Sequence, residues 1–148
     1  MKKKISKSYY PKPSTTKEYW FTYNAKDKVL GRAASDIASL VMGKYHSIFT
    51  PGVNPSIHVI VTNIAGIKVT GKKFTDKLYY SHSGYPGGLK TTSYRHLIDK
   101  KPTDALRRAI KGMLPKNSCG SLLINNILFY QHDNHKHEAQ QPIEFKGI

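Results

Sequence analysis

Cysteine occurs once in these 148 residues, as Cys119. A single thiol excludes an internal disulfide framework and fits a reducing compartment, the cytosol or an organelle matrix. Acidic side chains are also scarce, nine Asp and Glu against 24 Lys and Arg, for a formal charge of +15. That scarcity argues against catalysis by paired carboxylates, and the cationic excess calls for a polyanionic partner. Long apolar runs are missing as well. The longest, such as VIV at 59–61 and ILF at 127–129, fall far short of the ~18 residues of a membrane span. The Lys-rich start, MKKKISKSYYPKPSTTK, has no apolar stretch to direct export and lacks the arginines of a transit peptide.

The length corresponds to one domain. Residues 1–18 carry Lys2, Lys3, Lys4, Lys7, Lys12 and Lys17 with two prolines and one acid. Such a segment cannot form a core and is expected to be a flexible basic arm, leaving residues 19–148 as a single domain with a C-terminal tail from about 131. YWFTY at 19–23, aromatic and β-branched, predicts a strand. DKVLGRAASDIASLVMGK then repeats apolar residues at helical spacing, from Leu30 through Ala33, Ala34, Ile37, Leu40 and Val41 to a stop at Gly43. IHVIVT at 57–62 is apolar almost throughout, the pattern of a strand buried on both faces, typical of parallel sheets. Strand, helix and buried strand in this order predict a right-handed βαβ crossover.

GIKVTGKK at 66–73 approaches the phosphate-binding loop G-x-x-x-x-G-K-[ST], but Lys73 stands where the Mg²⁺-binding hydroxyl belongs and IKVT is too β-branched for a cradle. A short strand, IKVT, turning at Gly71, is the simpler expectation. Beyond it Lys72, Lys73 and Lys77 neighbour Tyr79, Tyr80, His82, Tyr85 and Lys90, with Gly84, Gly87 and Gly88 between them. Cations and flat rings on a Gly-rich loop suit phosphates and unstacked bases, although a solvated loop with tyrosines packed on the core has the same composition. TSYRHLIDKK predicts a short helix, and Pro102 opens a second, PTDALRRAIKGMLP, with Arg107, Arg108 and Lys111 off its apolar stripe. KNSCG reads as a turn and ILFY at 127–130 as a final strand or helix end.

The most ambiguous stretch is QHDNHKHEAQQP at 131–142. Its histidines could supply three metal ligands, yet no second cluster or paired cysteine completes a zinc site. His135, Lys136, His137, Gln140 and Gln141 could instead meet phosphates, sugar hydroxyls and base edges, or cap the protein's own C-terminal loop.

WFTYNAKDKVLGRAAS, GKYHSIFTPGV, IVTN with IKVTGKK, DKLYYSHSGYPGGLK, KKP, AIKGMLPK and HKHEAQQP, in this order and at these spacings, resemble the bacterial-type large-subunit ribosomal protein L-thirteen family, from about Trp20 to Pro142. HSGYPGG together with KGMLPK is a specific combination. The resemblance implies a three-layer α/β/α sandwich with a small, mostly parallel sheet, large-subunit ribosomal RNA and neighbouring ribosomal proteins as partners, and no enzyme activity, cofactor or metal. Carried over by position, the RNA-facing residues would be Lys44, His46, Lys72, Lys73, Lys77, Tyr80, His82, Ser83, Gly84, Tyr85, Gly87, Gly88, Lys90, Lys111, Lys116 and the stretch from His135 to Gln141. Net charge adds Arg107, Arg108 and, in the arm, Lys2, Lys3, Lys4, Lys7 and Lys12. This chain departs from the family pattern at NSCGSLLINN, at Pro55-Ser56 and at Asn24, where the family has a basic stretch, Gly-Asp and Asp. The expected function is a structural constituent of the large subunit that binds and stabilises its RNA during assembly. A free regulator that binds messenger RNA is the alternative of the same class, and a metal- or phosphate-dependent enzyme that of another.

Overall fold

The computed structural model describes residues 10–11, 17–47 and 49–145. The arm residues Lys2, Lys3, Lys4, Lys7 and Lys12 lie outside them. Strand β1 (Tyr19–Asn24), helix α1 (Leu30–Val41) and strand β2 (Ile57–Thr62) form the expected crossover, with the strands parallel from Tyr19 opposite Ile57 to Asn24 opposite Thr62. Helix α1 buries Leu30, Ala33, Ala34, Ile37, Ala38, Leu40 and Val41, so the apolar stripe is what holds it down. It ends where left-handed backbone is required: Gly43 has φ +74°, and a Cβ there would come within 2.9 Å of Pro55 Cβ.

The start of α1 explains what becomes of IKVT. Val29 gives no side-chain cap. Instead the Lys68 carbonyl accepts from Leu30 N at 2.9 Å, and Lys68 N donates to the Lys28 carbonyl at 2.9 Å. The expected strand is therefore a single bridge, because a helix entrance offers one rung of partners and no more. Ile67 and Val69 pack against the core from either side of that rung.

The main sheet runs β5-β2-β1-β6, with β5 at Ile127–Phe129 and β6 at Ile143–Glu144, all pairs parallel. The fold is thus α/β with a mostly parallel sheet, as expected. Side chains alternate across strands, and the alternation gives the sheet two unlike faces. Tyr23, Ile57, Val59, Val61 and Ile127 join α1 and α4 (Pro102–Met113) in one apolar core, with Leu106 and Ile110 of α4 fully buried. Trp20, Thr22, Asn24, His58 and Thr62 have the opposite parity. Since β1, β2 and β5 progress one way and β6 returns to the far edge, the last crossover passes over this second face. The C-terminal tail is consequently part of the fold, ending in a strand that pairs with β1.

A separate two-stranded sheet follows the short helix α2 (Lys73–Asp76): β3 (Leu78–His82) and β4 (Leu89–Ser93), antiparallel from Leu78 opposite Ser93 to His82 opposite Leu89. The Gly-rich stretch is thus a hairpin and not an irregular loop. Thr92 and Ser93 belong to β4, so the next helix, α3 (Tyr94–Lys100), begins two residues later than TSYRHLIDKK implied, with Ser93 as its N-cap. Pro102 opens α4 at its first turn. KNSCG is a helix start and not a turn: α5 (Ser118–Leu123) is capped by Asn117 Oδ1, which accepts from Gly120 N at 2.8 Å. Gly120 is needed there, because a Cβ would collide with the Pro115 carbonyl oxygen.

Candidate nucleic-acid interface

The hairpin stands on an aromatic root. Tyr79, on one face of β3, stacks on the buried Tyr94 with ring centroids 6.5 Å apart, and Phe74 of α2 meets Tyr94 edge-on at 6.1 Å. Two cations lie over the Tyr79 ring, Arg108 of α4 at 5.3 Å and Lys77 at 5.5 Å from its centroid. Burial pushes the Tyr79 hydroxyl above its ordinary pKa, with Arg108 pulling the other way. Packing thus unites Lys77 and Arg108, which lie far apart in the sequence. The remaining α4 cations, Arg107 and Lys111, are exposed, as are Lys72 and Lys73 beside α2. Lys111 lies in the last turn of α4, where a cation also complements the helix dipole.

The outer hairpin is shaped by local hydrogen bonds. Ser83 N donates to the Gly88 carbonyl at 3.1 Å, and Gly88 N to the Tyr85 carbonyl at 2.9 Å. Pro86 at the second position and Gly87 at φ +71° suit a type II turn, and Gly84 N bonds His82 Nδ1 at 2.9 Å. Tyr80 and Tyr85 project into solvent, 62% and 76% exposed, with His82 and Lys90 also exposed. Leu78 and Leu89, which the sequence did not single out, share the exposed face with Tyr80. The register that puts them there is the signal, and it needs the hairpin pairing to be known.

Elsewhere the predicted residues divide. Lys44 is exposed after α1, while the half-buried His46 ring lies 5.1 Å from Tyr19, and Lys116 is exposed between α4 and α5. In the C-terminal segment His132, Lys136, Gln140 and Gln141 face solvent, whereas the imidazoles of His135 and His137 are half-buried. His137 stacks on Trp20 at 5.5 Å, and Trp20 also stacks on His58 at 4.4 Å. His135 and His137 both approach Tyr130, and His135 Nδ1 accepts from His137 N at 3.3 Å. Among the described residues no three His, Cys, Asp or Glu side chains are placed to hold one metal ion. Trp20 and His58 are the partners that sequence reasoning missed, because the stack joins β1, β2 and a segment some 80 residues further on.

The same face carries the Asn24 departure. Asn24 Oδ1 accepts from Lys26 N at 3.0 Å and from Asn63 Nδ2 at 3.2 Å, and Asn63 Nδ2 also reaches Asp133 Oδ1 at 3.2 Å. An Asp at position 24 would keep both acceptor bonds while adding a second carboxylate to this amide. Asn24 lines a cleft with Thr22, Thr62, Asp133, His135, Glu138, Pro142 and Glu144. Three acids in one cleft repel phosphate, so the hairpin, α2 and α4 form the side of the molecule better suited to a polyanion.

No helix among the described residues is long and apolar enough to cross a membrane. The family model described as Ribosomal protein L13 matches residues 18–136. The large ribosomal subunit protein uL13 of Natranaerobius thermophilus is 46% identical over 140 residues, covering 95% of this chain and 98% of that protein. Its counterpart in Aeromonas salmonicida is 45% identical over 136 residues, 92% of this chain and 96% of that one. Beutenbergia cavernae carries another, 45% identical over 140 residues and 95% of each. With the α/β fold, the cationic side and these matches together, the chain belongs to the ribosomal protein L13 family, a family of structural proteins and not of enzymes.

Proposed function

We propose that this chain is a structural constituent of the large ribosomal subunit, binding its ribosomal RNA and holding neighbouring RNA helices against one another as the subunit assembles. The observation that carries this reading is the family match across residues 18–136, with relatives named as large ribosomal subunit proteins over nearly their full length. The formal charge of +15 supports it independently, since so large an excess of cations is matched by a polyanion. Lys72, Lys73, Lys77, Arg107, Arg108 and Lys111 would neutralise phosphates around the hairpin root. Lys44, Lys116, Lys136, Gln140 and Gln141 would extend the contact, with adjacent ribosomal proteins beside them. The protein would reside in cytoplasmic ribosomes.

Tagged protein followed through sucrose gradients of lysate, at low and high salt, tests the reading. Sedimentation with the large subunit in both conditions is expected. Protein confined to the top of the gradient, with no ribosome-bound pool, would refute it and favour a free RNA-binding regulator. For binding to isolated RNA through ~6–10 phosphates, affinity should fall ~10³- to 10⁵-fold between 50 and 200 mM salt. A flat salt response would remove the electrostatic mechanism.

A further inference from the structure

The hairpin is the least basic part of the side proposed to meet RNA. From Leu78 to Leu89 the chain reads LYYSHSGYPGGL, with no Lys, Arg, Asp or Glu, although Lys and Arg make up 24 of the 148 residues. Charge neutralisation cannot be what these residues contribute. The strand register sorts them further. Leu78, Tyr80 and His82 share a face with Leu89, Thr91 and Ser93, while Tyr79 lies on the opposite face and is used up at the root. The free face therefore exposes two rings and two leucines, Tyr80 at 62% and Leu89 at 61%, and Tyr85 stands at the turn. Exposed apolar area of this kind on an otherwise strongly charged protein marks a contact surface.

The cations around the root indicate which kind of contact. Lys77 and Arg108 over Tyr79, with Lys72 and Lys73 at the start of the neighbouring α2, place positive charge at the base of an arm whose free face carries none, Lys90 lying opposite Ser81 on the other face. A ligand that satisfies both parts carries phosphates beside flat, weakly polar faces, which describes a nucleic-acid strand with unpaired bases. A paired helix would offer the arm only its backbone and grooves, and neither suits leucines and phenol rings. We infer that the Tyr80 face of the hairpin is a stacking platform for unpaired bases of the RNA, with Tyr80 and Tyr85 stacking and the cations at the root holding the adjoining phosphates. This rests on the RNA-binding reading above and adds a division of labour to it: base stacking on the arm, phosphate neutralisation at the root.

The two contributions differ in salt dependence, so they can be separated. The full-length protein is titrated with deproteinised large-subunit ribosomal RNA at 50, 100 and 200 mM salt, and chemical reactivity of the RNA bases is mapped with and without protein. Tyr80→Leu keeps bulk and removes the ring. It is expected to weaken binding on the order of 5- to 150-fold with an unchanged salt slope, and to restore reactivity at unpaired bases that the wild type protects. Tyr80→Trp should bind at least as well as the wild type. The pair Lys72→Gln and Lys73→Gln should instead flatten the slope by about 0.7–0.9 for each phosphate no longer neutralised, leaving base protection in place. Both tyrosines are exposed, so folding should survive; should Tyr80→Leu fail to fold, Tyr85→Leu carries the same test. Wild-type affinity in both tyrosine variants, alongside weakened lysine variants, would overturn the stacking platform while leaving RNA binding intact, and would assign the face to a protein neighbour. A tyrosine variant that changes the salt slope would also overturn it. Absence of RNA binding by the wild type would overturn the underlying reading itself.

Discussion

Strands β2 and β3, IHVIVT and LYYSH, are similar in length and apolar content, yet they meet opposite fates. In β2, Ile57, Val59, Ile60, Val61 and Thr62 are all buried, since α1 and α4 cover one face and the returning C-terminal segment covers the other. In β3 only Tyr79 is tied into the protein, and Leu78 and Tyr80 face water. Apolar area in β2 has been removed from water and contributes to folding, at ~1.5–3 kcal/mol for each fully buried large aliphatic side chain. Comparable area on the hairpin contributes little to folding and remains available for a partner. An isolated two-stranded hairpin is marginal in water, so the Tyr79–Tyr94 root is what lets this one keep its shape with no third strand among the described residues.

Making one type of substitution in the core that covers β2 and on the hairpin that contains β3 puts this contrast under the most strain. Leu106→Ala, at a fully buried position of α4, should cost ~2–5 kcal/mol in denaturant unfolding. Leu89→Ala on the hairpin should stay within ~0.5 kcal/mol of wild type. Equal losses would mean that the hairpin face is part of the folding core after all.

Buried and half-buried tyrosines carry the contrast down to single oxygens. The buried Tyr23 hydroxyl donates to Asp36 Oδ2 at 3.1 Å, so Tyr23→Phe should cost ~0.5–1.5 kcal/mol by urea melting. Burial, followed by the Asp36 charge, also pushes the Tyr23 pKa far upward, and Tyr79 and Tyr94 are raised by burial in the same direction. With folded pKa values above the unfolded ones, the unfolded chain loses these protons first. Stability is then complete below ~pH 10, where unfolded tyrosines begin to ionise, and declines as pH rises through the folded values. Unfolding followed from pH 8 upward should show that decline, and it should be shallower in Tyr23→Phe. A melting temperature flat to about pH 12 would contradict it.

The smallest effect is expected at the hairpin root. Tyr79 Oη is buried without a hydrogen-bond partner among the described residues. Tyr79→Phe removes that unpaired group, keeps the ring beneath Arg108 and Lys77, and should be neutral or stabilising by up to ~1 kcal/mol. A clear loss of stability would reveal a partner for the hydroxyl.

The features legible in the sequence were those written in neighbouring residues. The α1 stripe from Leu30 to Val41, the stop at Gly43, the buried run IHVIVT and the start of α4 at Pro102 each follow from spacing or from the chemistry of one residue, and the βαβ unit follows from their order. Asn117 was a readable cap signal, yet Gly120 and the surrounding small polar residues made KNSCG look like a turn. IKVT had the composition of a strand but found only the mouth of α1 to pair with. The hairpin was hidden because its rings form one run between Lys77 and Lys90, and only the register shows which of them stand on the free face while Tyr79 and Lys77 sit at the root. His135 and His137 looked available until Trp20 and Tyr130 were seen beside them.

A cationic α/β domain with a parallel core was written into the chain itself, because charge, helical period and β-branched runs act over one or two turns of chain. Which face of each strand meets helices, which histidines turn inward and which aromatic rings remain exposed were settled by packing. Those outcomes depend on what lies opposite a residue, and here that neighbour comes from roughly 30 to more than 100 positions away: α4 beside β3, the last crossover beside β1.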